Sequence, residues 1–71
     1  MTQQPPPWTR REEEALRRTL RAGGGYLDAS RVLERLGFVR SERACRNRAG
    51  EIGVMTVRGA AWVAARRRVA A

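Results

Sequence analysis

Apolar positions recur along this chain at helical spacing in three short blocks, each preceded by a capping residue and followed by a glycine. In "WTRREEEALRRTLRAGGG", Ala15, Leu16, Thr19 and Leu20 fall at i, i+1, i+4 and i+5, one stripe of a 3.6-residue period. Thr9 followed three residues later by Glu12 forms the pattern of a capping box, in which hydroxyl and carboxylate each take the other's backbone N–H. Acids at 12–14 suit the positive end of the helix dipole, and Arg17, Arg18 and Arg21 suit its negative end. Gly23 stops the helix, and Trp8 reads as an anchor in the core. A second, shorter helix is capped by Asp28, buries Ala29, Val32, Leu33 and Leu36, and ends at Gly37. Ser41 caps a third, over residues 41–53, whose apolar positions are Ala44, Cys45, Ala49 and Ile52 and which Gly53 closes. Caps and glycines agree, so residues 8–54 are expected to form a three-helix domain.

The flanks are less regular. Residues 1–7 end in three prolines and read as an extended polar tail. In "VMTVRGAAWVAARRRVAA" the alanines favour a fourth helix, although Val57, Trp62, Val63 and Val69 gather on no single side. The alternative is a wing of two short strands, "VMTV" and "AAWV", about Arg58 and Gly59. The expected fold is all-α: a three-helix bundle of helix-turn-helix type, with a helical or wing-like basic extension over 55–71.

The third helix divides by angle. With Ala44 at zero and about 100° per residue, Arg48, Ile52, Cys45 and Ala49 fall at roughly 40°, 80°, 100° and 140°. Arg46, Gly50, Arg43 and Asn47 fall at roughly 200°, 240°, 260° and 300°. One side is small and apolar; the other is cationic, with Glu42 and Glu51 at its margins. Arg48 points towards the core, where a guanidinium needs a carboxylate. Glu12, Glu13 or Glu14 would supply it.

Charge turns that cationic face into candidate chemistry. The 71 residues contain 15 arginines, no lysine and no histidine, against 7 acids, for a net charge of +8. Residues 1–37 carry seven arginines and five acids, whereas residues 38–71 carry eight and two, so the excess lies in the second half. Such an excess implies a polyanionic partner. Arginine reads guanine and asparagine reads adenine in the major groove. Arg43, Arg46, Asn47 and Gly50 are therefore assigned to double-stranded DNA, with Arg40 in the same set and Arg66, Arg67 and Arg68 on phosphates, joined by Arg10 and Arg11 as further candidates. A single cysteine precludes an internal disulfide and, without histidine, a zinc site. Cys45 reads as a packed apolar residue. With no membrane-length apolar run and no signal sequence at the N-terminus, a cytoplasmic, nucleoid-associated protein is expected.

"WT..EEEAL...L" followed by "RSERACRNRAGEIGV" resembles the Myb/SANT-type helix-turn-helix, particularly its compact prokaryotic and phage versions and the N-terminal domain of GcrA-type regulators. The resemblance runs from about Trp8 to Val54. It implies base reading from the third helix at Arg43, Arg46, Asn47 and Gly50; Asn47 matches the family's asparagine, and Gly50 departs from the pattern by having no side chain. The family's second and third core tryptophans are replaced near Ala29 and Ala49, which implies a smaller core. The expected function is sequence-specific DNA binding by a small transcriptional regulator or DNA-recruiting accessory factor, without cofactor, metal, small-molecule substrate or enzymatic activity. The alternative is a module that binds an acidic protein surface. Trp62 and the C-terminal segment are the expected contacts for a second copy or a protein partner.

Overall fold

A computed structural model describes residues 6–70, with side chains through residue 67. Among the described residues it is all helical: α1 (Arg10–Arg21), α2 (Tyr26–Arg35), α3 (Glu42–Ile52) and α4 (Val57–Ala70). From Val57 on, the C-terminal segment is thus a helix throughout its described length, and the two-strand wing is not formed. Residues 1–5 of the expected tail lie outside the described residues.

Local chemistry sets the helix starts. The Thr9 hydroxyl accepts the Glu12 N–H at 3.3 Å, and Glu12 Oε1 accepts the Thr9 N–H at 3.0 Å, completing the capping box of α1. Ser41 Oγ accepts the Ala44 N–H at 3.1 Å and caps α3. The start of α2 corrects the sequence reading. The helix begins at Tyr26, with Gly25 as its N-cap, and Asp28 acts from inside the first turn by accepting the Gly25 N–H at 2.9 Å. An aspartate serves a helix N-terminus from either position, so its presence alone does not fix the first residue.

The helix ends share one device. The N–H groups of Gly24, Phe38 and Val54 return to the carbonyls of Thr19, Leu33 and Ala49, each across a glycine of positive φ. These are the long hydrogen bonds of Schellman caps. At Gly37, φ is 92°, a conformation that strains any residue with a Cβ. The turn folds Phe38 back onto the core, and Leu36, expected inside, is left 42% exposed.

The core is small. Leu16, Leu20, Ala29, Leu33, Cys45 and Ala49 are fully buried where α1, α2 and α3 meet, and Trp8, Ala15, Tyr26, Phe38, Ile52 and Val54 cover them. Alanines at 29 and 49, both fully buried, keep that core small. Burial raises the Cys45 thiol above its ordinary value, and the residue packs as a small apolar group. None of residues 55–67 is buried. The Thr56 hydroxyl accepts the Gly59 N–H at 3.0 Å at the start of α4.

Two ion pairs join the helices. Glu12, 2% exposed, receives Arg40 Nε at 2.5 Å and Arg40 Nη2 at 3.3 Å, and Arg40 is itself 8% exposed. The Arg40 guanidinium also reaches the Pro7 carbonyl at 3.2 Å and lies 4.7 Å from the centroid of Trp8, while Ser30 Oγ donates to the Arg40 carbonyl at 2.6 Å. Arg48, at the edge of the core, donates to Glu13 through Nε at 3.0 Å and to Glu51 through Nη1 at 2.7 Å. The need of Arg48 for an α1 carboxylate is borne out, with Glu13 as the partner, although the side chain lies on the flank of α3 and is only partly buried.

These pairs differ in what their loss exposes. Arg40→Ala strands a buried carboxylate and should cost about 3–5 kcal/mol, a large share of the stability of so small a domain. Arg48→Ala, at a partly exposed pair, should lower the melting temperature far less than Arg40→Ala does. Burial pushes the Glu12 carboxyl up, but hydrogen bonds from Arg40 and from the Thr9 backbone and hydroxyl outweigh it and hold the group below its ordinary 4.5. Its contribution is therefore full above that value and is lost as pH falls through the lower folded value. In urea titrations the stability gap between the parent and Glu12→Gln should be full at pH 7 and close below about pH 4.5; a gap that ignores pH would contradict this reading.

Candidate nucleic-acid interface

Which way α3 faces follows from its two buried residues. Cys45 and Ala49 lie at roughly 100° and 140° on the helix wheel, so the inward direction is near 120° and the outward pole near 300°. Asn47 occupies that pole. Arg43 and Gly50 stand beside it, and all three are exposed. Arg46 and Arg48 are each roughly 80° from the inward direction, on opposite flanks. Arg48 turns to Glu13 of α1, and Arg46 turns to the α2 side.

Arg46 remains exposed but is held. Its guanidinium lies 5.5 Å from the Tyr26 ring centroid, and its Nη2 is 3.8 Å from Glu42 Oε1, one turn earlier on α3. An exposed cation–π contact contributes about 0.5–1 kcal/mol and a surface pair of this spacing less, enough to bias the side chain and too little to bind it fast. Arg43 and Asn47, with Arg46 and Glu42, line a shallow surface depression. On the other side of Asn47 a groove of about 500 Å³ is lined by Trp8, Val39, Ala44 and Arg48, among others. Val39, at its rim, is 96% exposed.

Electrostatics on this face are lopsided. The two acids of α3 are engaged, Glu42 with Arg46 and Glu51 with Arg48, leaving Arg43 as an exposed cation next to the Asn47 amide. A guanidinium donates and a carboxamide both donates and accepts, which suits them to base edges and phosphates. Nothing lies within 4 Å of where a Cβ on Gly50 would stand. Backbone could come close to a ligand there.

Of the residues assigned to DNA from sequence, Arg43, Arg46, Asn47 and Gly50 are brought together on one helix face. Arg40 is a correction: sealed against Glu12 and Trp8, it has no free guanidinium to offer, because the carboxylate deepest in the fold needs a cation and Arg40 is the one that reaches it. Arg66 and Arg67 are exposed on a separate helix, α4, as are Arg10 and Arg11 on α1. Arg66 lies 4.8 Å from the ring centroid of Trp62. The side chain of Arg68 lies outside the described residues. Tyr26 and Glu42 were absent from the sequence assignment, although Glu42 could have been found from its i,i+4 spacing to Arg46.

Among the described residues, no group of three or more His, Cys, Asp or Glu side chains is placed to hold a metal ion, and no helix is long and apolar enough to cross a membrane. Comparison with family models, with curated proteins and with solved structures finds no match. Fold and site together define a small all-helical protein that carries an exposed arginine and asparagine face on its third helix.

Gly50→Ala separates folding from binding. Alanine fits the open space and favours the helix interior by about 0.5–1 kcal/mol, so the melting temperature should rise. If a macromolecule approaches the backbone at this point, affinity for duplex DNA should fall in the same variant. A rise in both would remove Gly50 from the interface.

Proposed function

We propose that this chain is a non-enzymatic, sequence-specific binder of double-stranded DNA. It uses α2, the turn over residues 36–41 and α3 as a helix-turn-helix of Myb/SANT-like kind, with α3 in the major groove. The observation that carries this is the outward pole of α3: Asn47, flanked by Arg43, Gly50 and Arg46, projects to solvent while Cys45 and Ala49 are sealed behind it.

Each side chain has a role in that reading. Asn47 takes an adenine edge and Arg46 a guanine edge, with Arg46 exchanging Glu42 for the base. Arg43, near the helix start, grips phosphate or a second guanine. Arg66 and Arg67 add phosphate contacts from α4. A module of this size covers only about 600–1,000 Å² on DNA, so modest affinity as a monomer and help from a second copy or a protein partner are part of the proposal. The role is that of a small transcriptional regulator or DNA-recruiting accessory factor, nucleoid-associated in its cell.

A second reading, a module that docks on an acidic protein surface, is favoured by one observation: Arg58, Arg66 and Arg67 stand exposed on α4, a helix with no described buried side chain. A salt titration with random duplex separates the two, because phosphate neutralisation makes log affinity fall linearly with log salt. Absent or flat binding favours the protein surface.

The decisive variants are Arg46→Ala and Asn47→Ala, tested on sites selected from a random duplex pool. Each should lose about 1–3 kcal/mol of discrimination at one base position, with the melting temperature unchanged in Asn47→Ala and lowered by about a few degrees in Arg46→Ala, which gives up its contact with Tyr26. Equal preference in parent and variants would refute direct reading by these residues.

A further inference from the structure

α4 exposes a tryptophan among its arginines, and the phosphate contacts proposed for Arg66 and Arg67 leave that ring without a role. The helix has 14 residues, and none of its described side chains is buried. Isolated helices of this length are marginal in water. After Glu51 the chain contains no acid, whereas Arg58, Arg66, Arg67 and Arg68 follow. Arg58, Trp62 and Arg66 stand at i, i+4 and i+8, one stripe along α4, with successive members separated by about 6 Å of helix rise. Trp62 is 60% exposed, and the Arg66 guanidinium stacks over its ring at 4.8 Å from the centroid. Trp62, Val63, Arg66 and Arg67 line one shallow pocket of about 290 Å³.

We infer that the Arg58, Trp62 and Arg66 stripe of α4 is a binding site for single-stranded nucleic acid, with a base stacked on the indole and the flanking phosphates on the two arginines. Aromatic rings between cations are what an unpaired strand requires, because every base has a stacking face and every linkage a negative charge. Other occupants fit less well. Acidic side chains would meet the negative face of the indole, which repels carboxylate. A second copy of α4 would bring arginine against arginine, and a membrane surface requires an amphipathic helix, whereas Arg58, Arg66 and Arg67 spread over roughly 180° of the wheel with Trp62 between two of them rather than on an opposite apolar face. The site is independent of the base-reading role proposed for α3 and stands or falls separately.

The probe is a fluorescently labelled oligothymidylate, titrated against the full-length chain at low salt and followed by anisotropy. Trp62→Ala should weaken binding about tenfold, the loss of one stacked base, and Trp62→Phe should keep most of the affinity. Because Trp62 is exposed, circular dichroism should show the three-helix unit intact in both variants. The double variant Arg46→Ala with Asn47→Ala should bind the oligonucleotide as the parent does. With the oligonucleotide alone, any of three results would overturn the inference: no binding by the parent, unchanged binding in Trp62→Ala, or loss of binding in the α3 double variant. A polyglutamate of matched charge that displaces the oligonucleotide equally well would also overturn it, by showing an acidic-peptide surface.

Discussion

A buried ion pair between the first turn of α1 and the residue just before α3 holds this protein in its shape. Glu12 closes its own helix start by accepting the Thr9 N–H and also receives the Arg40 guanidinium, so a single carboxylate serves a local cap and a tertiary lock. Arg40 extends the lock to the Pro7 carbonyl, the Trp8 ring and, through its backbone, Ser30 of α2. Taking two charges out of water is costly, and it is sustained only when the geometry is good and the remaining lone pairs and N–H groups are satisfied. Among the described residues no buried side-chain polar atom lacks a partner. Because Arg40 adjoins the Ser41 cap, the pair anchors the N-terminal end of α3, and the small residues Cys45 and Ala49 fix its rotation. Those two constraints place Asn47 at the outward pole.

The arginines of this chain are chemically alike and structurally diverse. Arg40 is sealed, Arg48 closes the edge of the core on Glu13, Arg46 is presented by Tyr26 and Glu42, and Arg43 is exposed. A planar fork of donors allows one residue type to fill all these roles, since it satisfies a carboxylate through two nitrogens in the core and offers the same geometry to phosphate or guanine outside. Net charge therefore overstates the cation available to a partner. What matters is how many guanidinium groups remain after the carboxylates of α1 and α3 are matched.

Much of the helical framework was legible because its determinants are local. Thr9 with Glu12, Ser41, and the glycines at 23, 37 and 53 act within a turn of where they stand, and α1 and α3 begin and end where those residues place them. The α1 partner of Arg48 was legible for the same reason, since helical phase, counted from neighbours, sets the residue at the edge of the buried stripe. Arg40 was not. It sits between helices, where no periodicity assigns a face, and its partner is 28 residues away. Leu36 was misplaced because continuing the stripe of α2 ignores the reversal at Gly37, which brings Phe38 inward instead; an apolar residue just after a terminal glycine carries that signal. For α4 the apolar pattern was silent, in keeping with a helix that has no described buried side chain.

The most direct test of the account is a titration of the isotopically labelled full-length chain with duplex DNA, following backbone amide and arginine side-chain resonances. Shifts centred on Arg43, Arg46, Asn47 and Gly50, with the Arg40 side chain unmoved in its buried pair, are what the outward pole of α3 predicts. Shifts centred on the arginines of α1, at Arg17, Arg18 and Arg21, with α3 silent, would contradict it.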